Sequence, residues 1–83
     1  MSKYVMTSLG LDATSTARWN LSRDGAEVLT NVPYRDGYDH FLAHGRPGDS
    51  YSEVSVHGRI TCDQTYEEFM EAHKRMEDFF RQP

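Results

Sequence analysis

The side chains best equipped for chemistry in this chain are four histidines, one cysteine and a scatter of tyrosines and carboxylates. His40 and His44 stand four positions apart. On a helix that spacing puts both imidazoles on one face, as paired metal ligands require. Asp36 and Asp39 lie nearby in sequence, and His57 and Cys62 are further donors. The pair lacks the glutamate that would make it an H-E-x-x-H zinc site. Two solvated surface histidines are therefore the favoured reading, and no metal is expected. His73 falls inside an apolar stripe, where an imidazole can titrate near neutral pH or serve as a general base. The plainer reading is a histidine at the core edge, hydrogen-bonded to a strand carbonyl, Tyr51 or Tyr66. Cys62 precedes a helix start, a position that lowers a thiol pKa, but its place in an alternating strand favours an inert, small buried hydrophobe.

Other catalytic signatures do not occur. The serines lie in no G-x-S-x-G context, and neither a G-x-x-x-x-G-K-[ST] loop nor a G-x-G-x-x-G fingerprint is present. The six glycines are scattered and read as turn residues. No catalytic residue and no cofactor are expected, and an enzyme is the less favoured class.

The elements that must position these residues follow from periodicity. Lys3 to Leu9 reads as a strand with apolar residues on both faces, as in a strand buried on both sides or lying at an oligomer contact. Asp24-Gly25 predicts a two-residue type I′ hairpin turn. That turn pairs Arg23 with Ala26, Ser22 with Glu27, Leu21 with Val28, Trp19 with Thr30 and Ala17 with Val32. Pro33 ends the second hairpin strand. One or two helical turns are expected around Tyr38 to His44, closed by Gly45. Tyr51 to Cys62 alternates as one long strand, with Val54, Val56, Ile60 and Cys62 on one face and Glu53, Ser55, His57, Arg59 and Thr61 on the other. Gly58 then marks a bulge or a close approach. Thr65-Tyr66-Glu67-Glu68 fits a capping box. It opens a helix from about Tyr66 to Arg81 whose buried stripe is Phe69, His73, Met76 and Phe80, with Phe79 outside it. The expected fold is a single α+β domain over residues 1–83. It has a small antiparallel sheet of about four strands and a C-terminal amphipathic helix on one face, in the order β-β-β-short α-β-α.

Composition narrows the function. The 83 residues carry 13 acidic and 9 basic side chains, a formal charge of −4. That leaves no basic surplus for direct nucleic-acid binding. One cysteine excludes an internal disulfide framework. No apolar run is long enough for a membrane helix and no signal-peptide shape opens the chain, so a cytoplasmic protein is expected.

The leading reading is a small acidic, non-enzymatic protein that binds a protein partner. The segment from Pro33 to Ser50 is its richest surface, with Tyr34, Arg35, Asp36, Tyr38, His40, His44 and Arg46 as candidate contacts. Glu67, Glu68, Glu71 and Asp78 on the last helix form a second, acidic surface. A specific version is an inhibitor that blocks a nucleic-acid-binding site on a larger complex. Small acidic anti-CRISPR and anti-restriction proteins of phages and mobile elements work in that way. The analogy rests on size and charge, and no motif carries it. The alternatives are a small dimeric ligand- or metal-binding enzyme using His and Tyr side chains in a sheet–helix pocket, and an accessory subunit of a larger assembly. A homodimer is expected.

Overall fold

The structure, a computed structural model, describes residues 1–81. Five strands, β1 (Lys3–Leu11), β2 (Ala17–Arg23), β3 (Ala26–Pro33), β4 (Ser50–Val54) and β5 (Ile60–Thr65), form one sheet in the order β3-β2-β1-β4-β5. The architecture is α+β, but the sheet differs from expectation in two ways. It has five strands rather than four, and it is mixed, because β1 pairs parallel with β4 while the other three pairs are antiparallel. Parallel neighbours need a long crossover connection. The stretch from Pro33 to Ser50 is that crossover, carrying the chain from the edge strand β3 to the centre. β1 is hydrogen-bonded on both sides, by β2 and β4.

The stretch read as one long strand is a hairpin. Gly58 takes φ 81°, which only a glycine adopts without strain. The Ser55 and Gly58 N–H groups donate to the Arg59 and Ser55 carbonyls at 2.8 and 2.9 Å, closing a turn. This overturns the expected division of faces. Cys62 pairs with Glu53 on the same side as buried Tyr51, whereas Val54 pairs with Ile60 on the other.

The Asp24-Gly25 turn forms with φ 52° and 84°, and the pairs Arg23–Ala26 and Ser22–Glu27 are as expected. Beyond them the register slips. Leu21 faces Leu29, Trp19 faces Val32 and Arg18 faces Pro33. Each slip is one extra residue in β3, a bulge. One of them lies beside Asn31, at φ 55°, whose N–H donates to Asn20 Oδ1 at 2.8 Å.

The first helix, α1 (Tyr34–His44), is a full three turns over 11 residues, longer than the one or two turns expected around Tyr38 to His44. It starts directly after Pro33, and Gly45 follows it in an extended rather than left-handed conformation, φ −63° and ψ 152°. The second helix, α2 (Tyr66–Arg81), has the expected bounds and the reciprocal capping box. Glu68 N–H donates to Thr65 Oγ1 at 3.1 Å, and Thr65 N–H donates to Glu68 Oε1 at 3.0 Å. Both helices lie on one face of the sheet, α1 against β2 and β3 and α2 against β4 and β5.

Between helices and sheet sit Tyr4, Met6, Leu21, Phe41, Tyr51 and Phe69, all at most 2% exposed. Gly37 lets α1 approach β1 closely, since a Cβ there would lie 2.1 Å from Met6 Sδ. The expected helical stripe is only partly buried. Phe69 is in the core, but Met76 and Phe80 are 46% and 76% exposed. Length explains this. At 16 residues α2 reaches about 24 Å, whereas the five-residue β4 spans only about 17 Å. Gly37→Val forces a branched side chain into the Met6 contact. It should cost about 1–3 kcal/mol, as overpacking does, and lower Tm by several degrees per kcal/mol. A thermal melt monitored by circular dichroism checks this, and an unchanged Tm would refute the close approach.

Candidate functional site

The side of α1 that carries Arg35 and Tyr38 faces the outer half of α2 across a groove of about 350 Å³. Tyr38, His73, Met76 and Phe80 line it, with Arg35, Glu77 and Arg81 at its polar positions. The Tyr38 hydroxyl lies 2.8 Å from His73 Nδ1, and His73 Nε2 lies 3.3 Å from Glu77 Oε1. An Nε2–H donor serves the carboxylate, and the direction of the Tyr38–Nδ1 bond follows from the state of the ring. His73 is thus hydrogen-bonded at the core edge, but by Tyr38 rather than by a strand carbonyl, Tyr51 or Tyr66. The reason is the greater length of α1, which brings its second turn alongside α2. Burial raises the Tyr38 pKa above the ordinary tyrosine value, which disfavours a phenolate here. At the far end of the groove Phe79 and Phe80 are 70% and 76% exposed, their ring centroids 5.6 Å apart.

A second cluster escaped the sequence reading. Glu53 Oε2 accepts from the Tyr51 hydroxyl at 2.5 Å and also from the Tyr34 hydroxyl. Burial, followed by the Glu53 carboxylate, raises both tyrosine pKa values well above the ordinary range. Trp19 packs edge-on against Tyr34 at 5.4 Å, and its indole N–H is buried without an oxygen or nitrogen partner among the described residues. Cys62 sits across the strand pair from Glu53, half-buried. Burial first, then Glu53 and Asp63, push its thiol pKa up. Both effects oppose formation of the thiolate at Cys62. The available signal was the i, i+2 spacing of Tyr51 and Glu53, which shares a face on any strand.

The remaining candidates divide. His40, His44 and Arg46 line a separate cleft of about 570 Å³ on the opposite side of α1. The two imidazole centroids are 4.4 Å apart, and burial, aided by His44 and Arg23, lowers the His40 pKa. Among the described residues no group of three or more His, Cys, Asp or Glu side chains is placed to hold a metal ion. Asp36 is exposed in the first turn of α1. On α2, Glu68 serves the cap and Glu71 pairs with Arg75 at 3.4 Å, while Glu67 and Asp78 are exposed. The candidate contacts thus do not form one continuous surface.

Comparison with protein-family models, curated proteins and solved structures finds no match to this chain.

The hydroxyls of Tyr34, Tyr38 and Tyr51 set an alkaline limit. The folded state holds the Tyr34, Tyr38 and Tyr51 protons more tightly than an unfolded chain, whose tyrosines ionise near 10. Their contribution is complete below that pH and is lost as pH rises above it. Phenolate absorbance during alkaline titration should therefore show late tyrosines that ionise together with loss of helical circular dichroism. Five tyrosines titrating together near 10 in a still-folded protein would contradict the cluster.

Proposed function

We propose that this chain is a non-enzymatic binding protein that acts by protein–protein contact through the α1–α2 groove and the outer end of α2. The observation that carries the reading is the exposed Phe79–Phe80 pair, continuous with Met76 and flanked by Arg35, Tyr38 and Arg81. Contiguous apolar surface of this kind marks interaction sites. Aromatic and arginine side chains dominate binding energy at such sites.

The specific form is an inhibitor that occupies a nucleic-acid-binding site on a larger complex in the cytoplasm, in the manner of anti-CRISPR or anti-restriction proteins. Its support is the net charge of −4 and the exposed Glu67, Glu71 and Asp78 on the helix that carries the aromatic pair. Among the described residues no helix is long and apolar enough to cross a membrane. The homodimer reading draws its support from the uncovered face of the sheet, where Val5 and Val54 are half-buried and Ile60 is 66% exposed. Docking there leaves the groove free. One observation favours the enzyme alternative, the Tyr38–His73–Glu77 chain beside a groove. Stoichiometric recovery of a bound metabolite would select it.

The test is affinity capture of partners from a native lysate. Wild-type protein should capture a nucleic-acid-processing complex and prevent that complex from binding its nucleic acid. F79S/F80S should abolish both, with little change in Tm because neither ring is in the core. Capture unaffected by the double variant, or a partner that keeps its nucleic acid, would overturn the reading. For the dimer, light scattering should give twice the 9.6 kDa chain mass, and I60K should return it to one. A wild-type mass of 9.6 kDa at high concentration would refute it.

A further inference from the structure

The structure assigns the cleft beside the C-terminal end of α1 as a binding site for a phosphate group. The cleft is about 570 Å³, and its charged and polar lining comes from Arg23, His40, His44, Arg46, Asp49 and Tyr4. On a chain of net charge −4, this is a concentration of cationic and protonatable groups. Four elements contribute: Tyr4 from β1, Arg23 from β2, His40 and His44 from α1, and Arg46 and Asp49 from the loop before β4.

The one carboxylate in the lining is already engaged. Asp49 is 8% exposed. Its Oδ1 accepts the Ser2 N–H at 2.7 Å, and its Oδ2 accepts the Arg46 N–H at 2.9 Å. The two arginines are differently placed. Among the described residues neither is in an ion pair. Arg23 is held in position, its Nε donating to Ser2 Oγ at 3.0 Å and its guanidinium carbon 5.7 Å over the Tyr4 ring. Its Nη groups make no hydrogen bond to a side chain among the described residues.

The two imidazoles, tilted 38° to each other at 4.4 Å, repel when both are protonated, and Arg23 adds to the repulsion. A dianion between them removes that cost. Two guanidinium forks and two imidazoles offer more donors than the two oxygens of a carboxylate use, and they suit the three oxygens of a phosphate. The end of α1 is the negative pole of its dipole. It opposes an anion, so the side chains must do the holding. Val28 and Pro47 supply apolar wall beside the charged groups. This site is independent of the α1–α2 groove.

Titration calorimetry and histidine ring NMR at low salt test the assignment, using inorganic phosphate, adenosine monophosphate and sulfate as probes. Phosphate should move the His40 and His44 resonances saturably and raise the His40 pKa. R23Q and R46Q should each weaken binding about tenfold or more, the loss of one charged contact, whereas R59Q should not. Sulfate keeps its charge across the histidine range, so its affinity should rise from about pH 8 to about pH 6. That measurement needs no variant to fold. Tighter binding of adenosine monophosphate identifies an organic phosphate ester as the ligand, and equal or weaker binding identifies free phosphate. No saturable shift with either phosphate, unchanged affinity in folded R23Q, or pH-independent sulfate binding would each overturn the assignment.

Discussion

Phe41 is the contact on which the rest of this molecule depends. It is wholly buried, with Tyr4 from β1 at 5.0 Å, Tyr51 from β4 at 5.1 Å and Phe69 from α2 at 4.7 Å. Each such aromatic pair contributes about 0.5–1.5 kcal/mol beyond the area it buries. In a chain only 37% hydrophobic, a few large rings must do what many aliphatic side chains do elsewhere. The position of Phe41 on α1 also fixes the helix rotation. At about 100° per residue, Tyr38 and Arg35 are turned towards α2, and His40 and His44 towards the opposite side. The two clefts flanking α1 are consequences of one core residue and of the close approach at Gly37.

What the sequence made legible was local. The Asp24-Gly25 turn and the Thr65–Glu68 capping box are set by residues within one turn of each other, and both form as read. The long-range features were not legible. A period of two cannot tell one long strand from two strands joined at Gly58, because a glycine in a strand pattern is compatible with either. Nor does alternation specify whether β4 joins β1 in parallel or another strand in antiparallel sense. Helical periodicity placed Phe80 on the same stripe as Phe69, correctly. It carried no information on where the opposing sheet ends, and that decides which of the two is buried.

The same limit applies to the candidate surface. The aromatic and charged residues between Tyr34 and Arg46 were read as a single excursion. Once they form a three-turn helix, neighbours in sequence separate around its circumference. Tyr34 reaches Glu53 together with Tyr51, an arrangement between α1 and β4 that no local window contains.

Charge is the remaining link between structure and function, and composition alone misleads about it. Many of the 13 acids are engaged within the fold. Asp49 binds two backbone N–H groups, and Glu68 caps α2. The Asp12 carboxylate, held first by the Thr14 hydroxyl, and the Asp24 carboxylate, held first by the Lys3 N–H, are both depressed in pKa. A carboxylate already accepting hydrogen bonds is a weaker competitor for a partner's lysines and arginines than a free one. The acidic balance therefore overstates how far this surface can imitate nucleic acid, and the exposed rings of Phe79 and Phe80 must carry more of any partner contact. Arg23 and Arg46 have no carboxylate partner among the described residues, in a cleft whose only acid is engaged by backbone. Among the described residues, the charge left without a partner in that cleft is positive.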